Sequence, residues 1–138
     1  LYLRGDFVAL FRRFPALAAF VQGGTLVPVP LHLRRQRQRG FNQSEILAEA
    51  LAEVAGVDVA VLLERSRATP SQTHLSREAR AKNVRDAFTV IAPATVHPLH
   101  RYVVFDDVAT TGSTLQACAA ALRAAGAEQV DVASFAHG

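Results

Sequence analysis

YVVFDDVATTGSTL, residues 102–115, is the stretch that decides the fold of this chain. Its apolar, β-branched and aromatic start, 102–105, is typical of a strand buried on both faces. Asp106 and Asp107 follow where such a strand would end, and a turn of hydroxyl residues around Gly112 comes next. Apolar residues at helical spacing then predict a helix, namely Leu115, Cys118, Ala119 and Leu122. A strand, a small-residue turn and a helix N-terminus together predict an anion site, because free backbone N–H groups and the helix dipole point to one spot.

Each part of this stretch has its own chemistry. Gly112 lets the backbone adopt a positive φ or approach a ligand closely. Hydroxyl groups that can donate to phosphate oxygens come from Thr110, Thr111, Ser113 and Thr114. Each such charge-assisted bond contributes roughly 1.5–3 kcal/mol. Asp106 and Asp107 would repel a phosphate beside them, so we expect them to accept hydrogen bonds from the two hydroxyls of a ribose diol.

Two other interpretations of this loop require different residues, and a third stays open. A nucleoside-triphosphate P-loop needs several spaced glycines and a lysine before Ser or Thr, and this loop has no lysine. A dinucleotide-binding turn needs three glycines, whereas this turn contains Gly112 alone. An ordinary strand-to-helix turn with a Ser or Thr cap stays open, but it leaves the Asp pair unexplained.

The composition predicts a single globular domain, 1–138, that opens with an N-terminal helical segment over residues 1–22. The length of 138 residues is enough to bury about two-thirds of the extended-chain surface, and half of the residues are apolar. A net charge of +3 is too small to indicate nucleic-acid binding by itself. The start at Leu1 and the absence of Met indicate a fragment or a processed chain that lacks an upstream segment.

Two further features bear on the cellular setting. Cys118 is the single cysteine and falls on the apolar stripe of a helix, so we expect it in the core and not in a disulfide. No run approaches the length of a membrane span, and the start lacks a signal-peptide pattern. We therefore expect no membrane insertion and a reducing, cytoplasmic setting.

Strands and helices alternate along the rest of the chain. Apolar residues at helical spacing extend from Phe7 to Val21, with a kink or a new start at Pro15. A second helix begins after Asn42 with a capping-box-like pattern and stops at Gly56. The other strands are predicted at 25–27, 57–63, 87–91 and 130–135. This alternation predicts an α/β fold with a mostly parallel central sheet and helices on both faces, whose ligands lie at the carboxyl ends of the strands.

Arginines are concentrated in two polar segments. Four of them within 34–39 indicate either a solvated face or a loop that faces an anion. The segment 65–83 contains Arg67, Arg77 and Arg80 and is either an exposed connector or a mobile flap that closes over a phosphate. A metal site at the two histidines of the loop 93–100 is not expected, because further plausible ligands are lacking nearby.

The stretch VFDDVATTGST at 104–114 resembles the phosphoribosyl-pyrophosphate (PRPP) loop of type I phosphoribosyltransferases. Four further motifs follow one another along the chain: Pro28-Val29-Pro30-Leu31, Arg39-Gly40-Phe41-Asn42-Gln43, Arg67-x-Thr69-x-x-Gln72-x-x-Leu75 and Arg80-x-x-Asn83. In this order the four resemble the ComF family, phosphoribosyltransferase-like proteins associated with DNA uptake in natural competence. The resemblance extends from about Leu3 to the C-terminus. A small departure is His74, where many relatives have Gly, which could stiffen the flap.

The resemblance implies a type I phosphoribosyltransferase-like fold with a mobile flap and a site for PRPP. Asp106 and Asp107 would hold the ribose, and the loop for the 5′-phosphate would consist of Ala109, Thr110, Thr111, Gly112, Ser113 and Thr114. The pyrophosphate loop would contain Pro30, Leu31 and Arg39. The implied catalytic residues are Arg39, Arg67, Arg80, Asp106 and Asp107. Mg²⁺ is expected to arrive with PRPP and has no protein ligand assigned, and no zinc is predicted, because the Cys-rich module of many relatives is absent.

The reaction itself stays open. One hypothesis is an active phosphoribosyltransferase that uses Mg²⁺ and PRPP with an unknown acceptor, for which no residue identifies itself as a general base. The other is a protein that binds PRPP without catalysis, as a sensor or while handling single-stranded DNA with DNA-uptake proteins. Only Tyr2 and Tyr102 and no Trp are present, which counts against a platform for stacking single-stranded bases. The sequence also leaves open whether the chain associates into a homodimer.

Overall fold

A computed structural model describes residues 4–31, 42–65, 87–109 and 111–137 of the chain. The helices are α1 (Arg4–Arg13), α2 (Ala16–Phe20), α3 (Gln43–Ala55) and α4 (Ser113–Ala124). The strands are β1 (Gly24–Pro28), β2 (Leu63–Arg65), β3 (Phe88–Val90), β4 (Arg101–Ala109) and β5 (Gln129–His137), and a 3₁₀ turn spans Pro93–Thr95. Within these ranges, no helix combines the length and apolarity needed to span a membrane.

The central sheet consists of three parallel strands in the order β1, β4, β5. β4 lies in the middle, with Arg101 facing Gly24 of β1 on one side and Gln129 of β5 on the other. β2 and β3 pair antiparallel in a separate two-stranded sheet. The predicted α/β fold with a mostly parallel sheet is confirmed.

The sheet divides the core into two layers, because successive side chains of a strand point to opposite faces. Tyr102 and Val104 pack in the layer that contains α4, whereas Val103 and Phe105 pack in the layer that contains α1, α2 and α3. All four side chains are buried, which confirms the strand predicted to be covered on both faces. The predicted apolar stripe of α4 is also buried: Leu115, Cys118, Ala119 and Leu122. Each large apolar side chain buried in this way stabilises the fold by roughly 1.5–3 kcal/mol.

Helix ends fall where the sequence supplies caps and breakers. The Asn42 side chain accepts a hydrogen bond from the backbone N–H of Ser44 at 3.0 Å and so caps α3. Gly56, with a φ of 71°, ends the same helix by donating its N–H to the Ala52 carbonyl at 2.8 Å. Pro15 separates α1 from α2, as predicted, because its ring cannot continue a helix.

The predicted strand at 57–63 is wrong as a single element. Val59 makes an isolated parallel bridge to Leu26 of β1, and Leu26 exchanges two 2.9 Å hydrogen bonds with residues on either side of Val59. The regular strand β2 begins only at Leu63 and pairs with β3 instead. The segment therefore lies beside β1 only around Val59, and its last residue, Leu63, pairs with β3 in the second sheet. The strands predicted at 25–27, 87–91 and 130–135 agree with β1, β3 and β5 within two residues.

The end of β4 also differs from the prediction. Asp106 and Asp107 lie inside the strand, which continues to Ala109. The reason is that β5 keeps pairing with β4 past Phe105, as far as Ala109 opposite His137, whereas the pairing with β1 ends at Pro28 opposite Phe105. The acid pair consequently lies on the part of β4 that β1 leaves uncovered.

Candidate functional site

The turn after β4 brings a glycine, two hydroxyl groups and a helix start together. Gly112 has a φ of 79°, a conformation that residues with a side chain rarely adopt, and α4 begins immediately after it at Ser113. The Thr111 hydroxyl lies 2.9 Å from the Ser113 hydroxyl and accepts a hydrogen bond from the Ser113 N–H at 3.3 Å. The intrahelical ladder starts only with the Gln116 N–H, which donates to the Gly112 carbonyl at 2.9 Å. The preceding N–H groups are those that a bound anion satisfies at a helix start.

This turn and Asp106 of β4 form one open pocket. Its lining runs from Asp106 across the turn to the first residues of α4: Asp106, Val108, Ala109, Thr111, Gly112, Ser113, Thr114 and Leu115. The lining combines hydroxyl groups and the positive end of a helix with one carboxyl group. This combination suits a ligand that carries both a phosphate and hydroxyl donors.

Both acids are held by backbone N–H groups. The Asp106 Oδ1 accepts from the Asp107 N–H at 2.8 Å, and the Asp107 Oδ1 accepts from the Val108 N–H at 2.9 Å. The Ser44 hydroxyl donates a third bond, to the same Oδ1 of Asp106, at 2.7 Å. Each carboxyl group is thus held through its Oδ1 by hydrogen bonds from described residues.

The environment of Asp106 changes its acidity. Burial raises the pKa of Asp106 from the ordinary 3.8 to about 6. The hydrogen bond from Ser44 lowers this pKa, while the neighbouring Asp107 carboxyl raises it further. A carboxyl group that titrates near neutrality beside an open pocket is typical of functional sites.

Two polar residues of the site were missed by the sequence analysis. Ser44 is only 2% exposed and connects α3 to Asp106, and Asn42 donates from its Nδ2 to the Val29 carbonyl at 3.3 Å. Asn42 belongs to the motif at 39–43 and to the predicted start of a helix, but neither pattern indicates its bond to Val29. The one local signal for Ser44 is a hydroxyl residue next to the buried face of a helix, which by itself does not indicate its partner.

A family model for the phosphoribosyl transferase domain matches residues 42–138, well over half of the chain. The chain belongs to the phosphoribosyltransferase family. It is 34% identical over 108 residues to Competence protein F of Haemophilus influenzae, a match that covers 78% of this chain and 47% of that protein. Over the same length it is 44% identical to the DNA utilization protein YhgH of Salmonella typhimurium and 40% identical to that of Escherichia coli K12, each match covering 46% of the relative. These relatives confirm the resemblance to the ComF family, and this chain spans about half of their length.

Solved structures of phosphoribosyltransferases share the fold. The allosteric regulatory enzyme of purine biosynthesis superimposes with a TM-score of 0.60 at 22% identity, covering 96% of this chain and 25% of that one. The adenine phosphoribosyltransferase of Rhodothermus marinus gives a TM-score of 0.52 at 18% identity, covering 98% and 78%. At these identities the likeness concerns the fold alone.

The structure brings together only part of the predicted phosphoribosyltransferase site. The residues that line or adjoin the pocket are Asp106, Asp107, Ala109, Thr111, Gly112, Ser113 and Thr114. Pro30 and Leu31 follow β1 and line a neighbouring cavity of about 150 Å³, together with Asn42 and Arg65. Thr110, Arg39, Arg67 and Arg80 lie outside the described residues, as do the segment 34–39 and almost all of the predicted flap.

The donor groups at the site fit a magnesium ion that is carried by its ligand. Among the described residues, no group of three or more His, Cys, Asp or Glu side chains forms a cage for a metal. Mg²⁺ binds oxygen ligands and commonly uses substrate phosphates in place of an all-protein cage. A magnesium ion at this site would therefore take most of its oxygen ligands from a bound phosphate compound and not from protein side chains.

Proposed function

We propose that this chain binds PRPP at the carboxyl end of β4, as a donor for phosphoribosyl transfer. The observation that carries the proposal is the single pocket in which Asp106 and the helix start at Gly112 to Thr114 face the same space. A phosphate and a diol at opposite ends of one sugar match this arrangement. The family assignment supports the same ligand class.

The 5′-phosphate would lie against the start of α4. Backbone N–H groups at a helix start and the positive end of its dipole favour an anion there. Hydroxyl groups of Thr111 and Ser113 already lie 2.9 Å apart and need little movement to point to phosphate oxygens. Each hydrogen bond to a charged oxygen would contribute about 1.5–3 kcal/mol. We assign Ala109, Thr110 and Thr114 to the same cradle.

The ribose would lie between this cradle and the acid pair. One oxygen of Asp106 and one of Asp107 are tied to backbone N–H groups, so the remaining oxygens would accept from the two ribose hydroxyls. Two fixed acceptors orient the sugar ring before any reaction, which lowers the entropic cost of the transition state. The acids would therefore position the sugar, and their negative charge would stabilise the positive charge that develops at its anomeric carbon.

Cleavage of the bond between C1′ and the pyrophosphate oxygen leaves negative charge on the pyrophosphate. Bound Mg²⁺ would neutralise part of this charge. We assign the rest to Arg39, Arg67 and Arg80, with the backbone at Pro30 and Leu31 beside the same group, as the family resemblance implies. The acceptor that receives the phosphoribosyl group is the undetermined part of this proposal.

Calorimetry with PRPP and Mg²⁺ tests the shared premise. The double variant Asp106→Ala with Asp107→Ala is expected to lose at least about a hundredfold in affinity, because two charge-assisted bonds disappear. The matched control is Glu128→Ala with Asp131→Ala, which removes the same charge from residues outside the pocket. Equal affinity of the two double variants would contradict PRPP binding at this site. Release of pyrophosphate on a screen of nucleobases and amines then tests for catalysis.

A second candidate function is the handling of single-stranded DNA without transfer chemistry. Its support is the similarity of the chain to Competence protein F and to the DNA utilization protein YhgH. Fluorescence anisotropy with a labelled single strand measures this binding. If Arg34, Arg35 and Arg37 contact the phosphates, changing all three to Ala reduces both the affinity and its dependence on salt. Unchanged salt dependence would identify this segment as a solvated face.

A further inference from the structure

Ser44 is a buried polar residue with a distant partner. It lies at the second position of α3 and is 2% exposed, although Ser is mostly a surface residue. Its hydroxyl donates to the Asp106 Oδ1 at 2.7 Å across 62 positions of sequence. A bond of this length from a hydroxyl to a carboxylate is of the stronger, charge-assisted kind.

The Asp106 carboxyl group receives two donors on one oxygen. Oδ1 accepts from the Ser44 hydroxyl on one side and from the Asp107 N–H on the other. Two convergent bonds fix the rotation of the carboxyl plane, and they thereby set the direction in which Oδ2 points. The backbone bond alone fixes only one direction, since the side chain can still turn about it.

Ser44 is in turn held by the strand that adjoins β4. Asn42 accepts from the Ser44 N–H at 3.0 Å and donates to the Val29 carbonyl at 3.3 Å, and the Val29 N–H donates to the Phe105 carbonyl at 2.9 Å. A continuous chain of hydrogen bonds thus runs from β4 through the exit of β1 and the start of α3, and returns to Asp106. Its donors and acceptors are buried or half-buried, where such bonds hold geometry well.

We propose that Ser44 is a positioning residue, which holds the Asp106 carboxylate in the orientation that receives a ribose hydroxyl. The inference rests on the proposed function. It extends that function to a residue on a different helix, outside the loop that carries the predicted binding residues.

The ionisation of Asp106 gives this role its own readout. Among the described residues, the titratable groups that interact with Asp106 are Asp107 on β4 and Cys118 on α4, and the charge of Arg65 on β2 also reaches Cys118. The Ser44 hydrogen bond opposes the effect of burial on the pKa of Asp106. Loss of the hydroxyl therefore moves the pKa of Asp106 upward, which a purely structural defect elsewhere in α3 would not do.

The test compares Ser44→Ala with Ser44→Thr, which restores the hydroxyl, and with Ser134→Ala as a matched control. Ser134 faces Asp106 in the ladder between β4 and β5, but none of its described contacts is a hydrogen bond to that carboxyl group. Calorimetry measures the affinity for PRPP with Mg²⁺ between pH 5 and 9. Ser44→Ala is expected to lose about tenfold in affinity at pH 7, and its pH profile should move to higher pH. Ser44→Thr should recover most of the affinity, and Ser134→Ala should match the unchanged protein.

The outcomes separate this inference from the function on which it rests. If the unchanged protein binds PRPP, and Ser44→Ala keeps both the affinity and the pH profile, the role of Ser44 is refuted while the proposed function stands. If the unchanged protein does not bind PRPP, the proposed function fails and the ribose role fails with it. Carboxyl-carbon NMR of Asp106 then still decides whether Ser44 sets the ionisation of this group, since Ser44→Ala should raise its pKa in the absence of any ligand.

Discussion

Gly112 and Gly56 allow the conformational and the binding roles of the turn after β4 to be separated. Both have a positive φ, 79° and 71°, and a Cβ added at either would have no atom of the described residues within 4 Å outside its chain neighbours. Replacement by Ala therefore costs only the left-handed backbone conformation, about 1–2 kcal/mol at each position. For a chain of this size, that cost lowers the midpoint of thermal unfolding by about 4–8 °C.

The two positions differ in what the new methyl group faces. At Gly112 it lies beside the pocket, whereas Gly56 ends α3 and does not line that pocket. We expect Gly112→Ala and Gly56→Ala to lose similar stability. Only Gly112→Ala should lose affinity for PRPP with Mg²⁺, by at least about tenfold, because a methyl group at the cradle keeps the phosphate from the N–H groups.

Differential scanning calorimetry of each variant measures the stability, and titration calorimetry well below the unfolding midpoint measures the affinity. Equal affinities in the two variants would refute the location of the phosphate at this turn. A stability loss at Gly112 several times that at Gly56 would refute the assumption that both methyl groups meet open space.

Three further predictions concern stability and reactivity. Burial raises the pKa of Asp106 to about 6, so between about pH 4 and pH 6 this carboxyl group keeps its proton in the folded protein and releases it in the unfolded chain. The stability of the folded protein therefore falls as the pH rises through this range. Urea unfolding at each pH should therefore find Asp106→Asn about 1 kcal/mol more stable than the unchanged protein at pH 8 and no more stable at pH 4. This figure allows for solvent screening of the half-buried group. A stability difference that does not depend on pH would contradict a role for the raised pKa of Asp106. Burial also raises the pKa of the Cys118 thiol to about 12. An aromatic disulfide reagent should therefore react at least about a thousandfold more slowly with the folded protein than with the unfolded chain. Rapid reaction without urea would contradict this and show that the helix opens locally. Leu51→Ala should lower the free energy of urea unfolding by about 2–5 kcal/mol, because the Leu51 side chain is fully buried. Leu99→Ala, at a side chain 77% exposed, should change it by less than about 0.5 kcal/mol. Equal losses in the two variants would place Leu51 outside the core.

Local patterns were enough to predict the elements whose geometry is set by their own residues. The apolar run at 102–105 predicted a strand covered on both faces, and Pro15 and Gly56 predicted helix ends, since each of these acts through neighbours in sequence. Gly112 was predicted to permit a positive φ for the same reason, and the structure has it at 79°.

Features that depend on distant partners were not predictable in this way. The continuation of β4 through Asp106 and Asp107 is decided by the length of β5, which no residue of β4 encodes. The division of 57–63 between an isolated bridge and β2 is decided by competition between β1 and β3. The contact of Ser44 with Asp106 joins two segments that are adjacent only after folding, so the sequence pattern around Ser44 indicates a helix start and nothing more.

The middle position of β4 has a consequence for the order in which the chain folds. α1, α2, β1 and α3 follow one another in sequence and share one core layer, so every contact among them lies within residues 4–55. β4 pairs with β1 only after more than half of the chain has intervened, and it contributes side chains to both layers. We therefore expect the docking of β4 to be the slow step of folding. During synthesis, the edge of β1 that pairs with β4 should stay exposed until β4 is made, and an exposed strand edge is a template for aggregation.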